Sequence, residues 1–141
     1  MERAAECHCG QLKAITGGEP ERVYLCHCKS CQRRTGAVAH SGTRWPKSQV
    51  RIEGEHKIYG RIADSGFEIR FDFCPNCGSS VFWGGDRGPD DYGIAVGRFA
   101  DPDFPAPVYS AYEDAMHPWF AAPTAKEYFP GPRPAGLAIP S

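Results

Sequence analysis

Alternation of apolar and polar residues dominates the first hundred positions of the chain. The longest run lies at 66–73, where Phe67, Ile69, Phe71 and Phe73 are predicted to form the buried face of a strand. Shorter strand-like runs lie at 11–16, 22–27, 37–43, 49–53, 57–62, 80–83 and 92–96. Clusters of Gly, Pro, Asp and Ser separate these runs, and one short helix is expected at 30–34. The pattern predicts a mainly β fold of packed sheets with little helix.

Composition changes after Gly97. Nine of the 13 prolines lie between Pro102 and Pro140, and aromatic residues are interleaved with them. The high density of proline prevents regular structure. We expect this part to be irregular and its aromatic rings to pack against the sheets. We predict a β domain at 1–120 and a Pro-rich C-terminal arm of the same unit at 121–141.

Length and charge exclude several classes of function. The chain has 141 residues and a net charge of −1, from 16 basic and 17 acidic residues. This balance favours neither a nucleic-acid nor a membrane partner. No apolar run is long enough to cross a bilayer, and the start of the chain does not resemble a secretory signal. These features predict a cytoplasmic protein.

Seven cysteines fall into three clusters, which are Cys7 and Cys9, then Cys26, Cys28 and Cys31, then Cys74 and Cys77. Reducing compartments keep thiols free unless a metal or a reaction uses them. Residues two apart on a strand point to one face, so both sulfurs of a C-x-C pair can reach one ion. The C-x-x-C pair followed by Gly78 has the spacing of a zinc knuckle. The spacing therefore predicts zinc ligation.

Seven thiols divide as four plus three. Four cysteines make a closed structural zinc site, whereas three protein ligands leave a position for water or substrate. Spacing alone does not fix which clusters share the closed site. Because 26–31 supplies three thiols by itself, the economical division pairs the first cluster with the last. We thus predict two zinc ions per chain.

The ordered motifs resemble a known family. Cys7-His8-Cys9-Gly10, then Cys26-His27-Cys28-x-x-Cys31, then Cys74-Pro75-Asn76-Cys77-Gly78-Ser79 are similar to those of the GFA family. That family is named after the glutathione-dependent formaldehyde-activating enzyme and includes the centromere protein V domain. The resemblance implies an Mss4-like fold of packed antiparallel sheets with two zinc sites. It also assigns the first and last clusters to a structural zinc and the middle cluster to a catalytic zinc.

The resemblance implies a carbon–sulfur lyase. Its substrate would be a glutathione or other thiol adduct such as S-(hydroxymethyl)glutathione, and Cys26, Cys28 and Cys31 would hold the catalytic zinc. Zinc favours a soft ligand at an open position and stabilises a thiolate, which is a nucleophile at neutral pH. The alternative is a non-catalytic zinc module used for interaction. A third, weaker hypothesis is a redox-responsive thiol site.

Other polar residues carry weaker signals. Lys29, Arg33, Arg34 and Arg44 are near the middle cluster in sequence and offer cations for the carboxylates of glutathione, although a solvated basic face is the simpler interpretation. A packing role is expected for His117. The sequence leaves the oligomeric state open.

Overall fold

The computed structural model describes residues 1–121 and 125–140. In chain order the elements are β1 Glu2–Glu6, β2 Lys13–Gly17, β3 Arg22–Cys26, α1 Lys29–Thr35, β4 His40–Pro46, β5 Val50–Glu53, β6 Lys57–Ile62, β7 Glu68–Phe73, β8 Ser80–Gly85, β9 Gly88–Ala95, β10 Tyr109–Ala111 and β11 Glu127–Tyr128. Short 3-10 helices lie at Lys47–Gln49, Val96–Phe99 and Glu113–Ala115. The prediction of a mainly β protein is confirmed.

All eight predicted strand runs overlap an observed strand, and the predicted helix lies inside α1. The sequence pattern missed β1, β10 and β11. Strand β1 has the sequence Glu-Arg-Ala-Ala-Glu, which lacks β-branched residues, and its pairing with β2 rather than its own propensity makes it extended. Strands of two or three residues such as β10 and β11 leave no periodic signal.

The first of two compact units comprises Met1–Glu21 and Thr43–Pro102. It contains the antiparallel sheet β1-β2-β5 and the antiparallel run β9-β8-β7-β6. Leu12, Trp45 and Ile94 are fully buried in its core. The indole N–H of Trp45 donates to the Thr43 hydroxyl (2.7 Å), so this buried polar group is satisfied.

The second unit comprises Arg22–Gly42 and Asp103–Ser141. Strand β10 pairs in parallel with β3 on one side and with β11 on the other. The antiparallel sheets that the resemblance implied therefore describe the first unit, whereas the second unit contains two parallel strand pairs. The long chain path between β3 and β10 permits that direction, which a hairpin does not. The domain limits at 1–120 and 121–141 stay a prediction, as does the C-terminal arm.

The predicted buried face of 66–73 requires correction. Phe71 is buried, but Phe67 precedes β7 and is 46% exposed. On the opposite face Asp72 is only 7% exposed, and its carboxylate lies 3.4 Å from Nε2 of His56. Since β7 lies between β6 and β8 and is partly covered on both faces, alternation alone did not identify its buried residues.

Within 1–121 and 125–140, helices are too short and too polar to span a bilayer.

Candidate metal centres

A four-cysteine cluster lies in the first unit. The sulfurs of Cys7, Cys9, Cys74 and Cys77 all lie within 4.8 Å of one another. Two Sγ–Sγ distances are 3.6 Å (Cys7–Cys9) and 3.7 Å (Cys9–Cys74). A tetrahedral zinc with sulfur ligands at about 2.3 Å needs sulfurs about 3.8 Å apart. The four thiols therefore fit a closed metal site.

Two tight turns bring these sulfurs together. Strand β1 ends at Glu6, and the N–H of Gly10 donates to the Cys7 carbonyl (3.1 Å), so Cys7 and Cys9 lie in a turn. The expectation that both lie on a strand and point to the same face was wrong, because β1 ends at Glu6 and the chain already reverses towards β2. The second turn is closed by the N–H of Gly78, which donates to the Cys74 carbonyl (2.8 Å) at a left-handed φ of 78°.

Hydrogen-bonding groups lie beside three of the four sulfurs. The Leu12 N–H donates to the Cys7 sulfur (3.2 Å), and the Gln11 side-chain amide donates to the Cys74 sulfur (3.2 Å). The hydroxyl of Ser79 lies 3.4 Å from the Cys77 sulfur. Donors directed at sulfur stabilise the thiolate, which is the form that binds metal.

The pKa values reflect these donors. Hydrogen bonds from the Ser79 side chain and backbone lower the pKa of the Cys77 thiol to about 5. For Cys74, burial opposes ionisation, but the Gln11 amide and nearby backbone N–H groups lower its pKa overall. Burial raises the pKa of Cys7 despite the Leu12 N–H. A bound cation would stabilise all four thiolates.

A three-cysteine cluster lies in the second unit. The sulfurs of Cys26, Cys28 and Cys31 lie within 4.8 Å of one another, and among the described residues no fourth Cys, His, Asp or Glu ligand joins this group. Cys26 ends β3, Cys28 is the N-cap of α1 and Cys31 lies in its first turn. A strand end followed directly by a helix start thus collects three thiols.

The helix start favours one thiolate in this cluster. The thiols of Cys26 and Cys31 donate to the Cys28 sulfur, and the backbone N–H groups of Cys31 (3.2 Å) and Ser30 add to them, so the pKa of Cys28 falls to about 2. The hydrogen bond to Cys28 raises the pKa of Cys26. For Cys31, the Cys26 thiol lowers the pKa, but hydrogen bonding to Cys28 and burial outweigh it and raise the value to about 11. Among the three thiols, Cys28 is thus the one whose thiolate its hydrogen bonds favour most.

Buried polar residues lie beside this cluster. His27 is fully buried, and its Nε2 lies 2.9 Å from the hydroxyl of Ser110, which donates to Glu113 (2.8 Å). The Gln32 side-chain amide donates to the carbonyls of His27 (2.7 Å) and Ala115 (3.1 Å). The sequence pattern did not identify Ser110, Glu113 or Gln32, since the contacts Ser110–His27 and Gln32–Ala115 each span 83 positions.

Basic side chains differ in their relation to the three thiols. Lys29 and Arg33 are exposed on α1. Arg34 is half-buried, and its positive charge favours the thiolate of Cys31. Desolvation is the main cause that lowers the pKa of the buried His40 to about 3, and the charge of Arg34 also lowers it. Arg34 is thus the cation best placed to act at the cluster. His117 packs against Trp119 (5.1 Å between ring centroids).

An open groove of about 550 Å³ lies beside the four-cysteine cluster. Its lining includes Cys7, Cys77, Glu6, Arg98 and Phe99. The Nε–H of Arg98 donates to the Ser80 carbonyl (2.8 Å). The two cysteines on its wall, Cys7 and Cys77, both belong to the four-cysteine cluster.

Comparisons with known proteins identify the family. The family model of the glutathione-dependent formaldehyde-activating enzyme matches residues 2–115. A curated protein of Schizosaccharomyces pombe, named "Uncharacterized lyase", is 30% identical over 95 residues, which are 66% of this chain and 64% of that protein's length. A crystal structure of a Rhodobacter sphaeroides protein is similar in fold, with a TM-score of 0.51 and 24% identity over 72% of this chain and 92% of the other. Since the family model covers both cysteine clusters and most of the chain, this protein belongs to the GFA family.

Proposed function

We propose that this protein is a zinc-dependent carbon–sulfur lyase that acts on a thiol adduct, with glutathione as the expected thiol. The observation that carries the proposal is the cluster of Cys26, Cys28 and Cys31, which offers three sulfurs to one ion. The second unit thus contains an incomplete ligand set, and the first unit contains a complete one.

The donor chemistry of both clusters fits zinc. Three thiolates would hold a zinc ion whose open position stabilises the thiolate of a substrate over its thiol. The chain's own contribution is to keep the three sulfurs together at the strand end and helix start. The N–H groups at the start of α1 bond the Cys28 sulfur and favour its anionic form.

The reaction balances without an oxidant or a reductant. In S-(hydroxymethyl)glutathione the bond between sulfur and the hydroxymethyl carbon breaks, and its electron pair stays on sulfur. The carbon forms a second bond to its oxygen, and the hydroxyl proton ends on the thiol or in solvent. The products are glutathione and formaldehyde, and the reverse reaction forms the adduct.

Arg34 is the proposed partner for a carboxylate of glutathione. Its guanidinium acts electrostatically on Cys31, whereas Lys29 and Arg33 are exposed on the same helix. A guanidinium binds a carboxylate through two parallel hydrogen bonds, which fixes orientation as well as charge. The substrate sulfur and carboxylate would then be held by one segment, 26–34.

The test is an exchange assay with glutathione and formaldehyde, combined with a metal count. Wild-type protein should contain two zinc ions and accelerate adduct formation and cleavage. Cys31→Ser should retain the far-UV circular dichroism spectrum and one zinc ion, and should lose the activity. Full activity with one zinc ion would overturn the proposal.

The second candidate is a non-catalytic zinc module. It is favoured by exposed apolar residues on the edge strand β6, since Ile58, Tyr59 and Ile62 are each more than half exposed. This candidate predicts two zinc ions, no thiol binding, and self-association in light scattering that Ile58→Lys reduces. Thiol binding without self-association would exclude it.

A further inference from the structure

His27 lies between two of the three candidate ligands and is held from several directions. Its N–H donates to the Ala111 carbonyl (3.0 Å), and its carbonyl accepts from the side chain of Gln32 (2.7 Å). Its ring packs edge-on against Phe120, with centroids 5.8 Å apart. The residue is fully buried, so a lost contact would not be replaced by bulk water.

Hydrogen-bond roles at the ring follow from its partners. An ionised Glu113 can only accept, so the Ser110 hydroxyl donates its proton to Oε2 (2.8 Å). The Ser110 oxygen must then accept from His27, which places the imidazole proton on Nε2 (2.9 Å). The chain Glu113–Ser110–His27 therefore has one consistent direction, and it fixes the rotation of the ring.

Glu113 is itself anchored by a remote part of the second unit. Its N–H donates to the Phe129 carbonyl (2.8 Å), and the N–H of Asp114 donates to the Pro130 carbonyl (2.9 Å). Farther along, the Arg133 guanidinium pairs with Glu127 (2.9 Å). The carboxylate thus belongs to a supported loop and can act as a fixed point for the hydroxyl.

We propose that Ser110 and Glu113 are positioning residues, which lock the His27 ring and thereby hold Cys26 and Cys28 at metal-binding distance. This inference rests on metal binding at the three-cysteine cluster, which is part of the proposed function. Residues that orient ligands without touching the metal commonly change affinity 10- to 100-fold when they are replaced. The expected effect is selective, because Ser110 and Glu113 lie in the second unit and the four-cysteine cluster lies in the first.

The experiment measures zinc release from the full chain into a chromophoric chelator. Wild-type protein should show two release phases. Cys31→Ser should remove the three-cysteine phase and so assign it. Ser110→Ala and Glu113→Ala should each accelerate the three-cysteine phase about tenfold or more, and should leave the four-cysteine phase within twofold. Glu113→Gln keeps an oxygen that accepts from the hydroxyl, so it should restore a rate within threefold of wild type. Ser48→Ala, at an exposed position, is the matched control and should change neither phase.

Two results would overturn the inference. Unchanged release from the three-cysteine site in both alanine variants would show that the hydrogen bonds of Ser110 and Glu113 do not hold the cysteines in place. Equal acceleration of both phases would indicate general destabilisation instead. If Ser110→Ala does not fold, Glu113→Ala decides, since that side chain is only half-buried. The proposed function can fail separately. Wild-type protein that shows both release phases but binds no thiol would refute the lyase, and the release rates of the variants would still test the positioning role.

Discussion

Gln11 provides a direct test of how the closed site is held. Its amide nitrogen donates both to the Cys74 sulfur (3.2 Å) and to the Glu55 carbonyl (2.7 Å), while its oxygen accepts from the Glu55 N–H (2.8 Å). One side chain therefore links the turn at 74–78 to the turn that follows β5. Gly54 in that turn has φ 98°, and a Cβ there would lie 2.0 Å from the Gln11 carbonyl oxygen.

Two variants separate these roles. Gln11→Ala removes both bonds to Glu55, which are partly solvated and together contribute about 1 kcal/mol to the free energy of unfolding. It also removes the donor to sulfur, and release of the four-cysteine ion should accelerate about tenfold. Gln11→Glu is isosteric but places a carboxylate oxygen beside that sulfur, so its release should be faster still.

The assay is the same two-phase zinc release, with urea unfolding of the loaded protein beside it. Gln49→Ala, at an exposed position, is the matched control. Only the four-cysteine phase should change in the Gln11 variants, and Gln11→Glu should exceed Gln11→Ala. If Gln11→Glu releases zinc as slowly as wild type, the hydrogen bond from the Gln11 amide does not stabilise the Cys74 thiolate.

Three further predictions concern stability and binding. Folding lowers the pKa of His40 from 6.5 to about 3, so below pH 6.5 the unfolded state binds more protons and the protein loses stability as the pH is lowered. Urea unfolding should show a loss of about 1 kcal/mol between pH 7 and pH 5.5 that His40→Asn removes, and an equal loss in that variant would contradict this. Arg34→Met should weaken glutathione binding about tenfold in calorimetry, whereas Arg33→Met should change it less than twofold; equal effects would indicate a diffuse basic face. Gly93→Ala should lower the unfolding free energy by about 1–3 kcal/mol in urea, because its Cβ would lie 2.1 Å from the Trp83 indole; unchanged stability would show that the ring moves freely.

The cysteine clusters were visible in the sequence because their ligands are close together along the chain. Spacing alone did not fix which clusters share a site, and the first was paired with the last because 26–31 supplies three thiols by itself. The structure brings Cys7 and Cys9 together with Cys74 and Cys77. Their assignment to zinc stays a prediction. The predicted strand geometry of Cys7 and Cys9 was wrong, because cysteines two residues apart occur in turns as well as in strands.

The supporting residues could not be found in the same way. Ser110 lies 83 positions from His27, and Gln11 lies 63 positions from Cys74. Serine and glutamine are common surface residues, and only the tertiary fold gives these two their partners. The buried Asp72 was missed for a similar reason, because β7 reads as one-sided in sequence and is partly covered on both faces.

We propose that the three-cysteine centre binds the thiol of the substrate. Calorimetric titration of the zinc-loaded protein with glutathione, in two buffers of different ionisation enthalpy, tests it most directly. We expect saturable binding of glutathione with release of about one proton. S-methylglutathione should not bind, and the Cys31→Ser variant should not bind glutathione. Equal binding of glutathione and S-methylglutathione, or no binding at all, would contradict it.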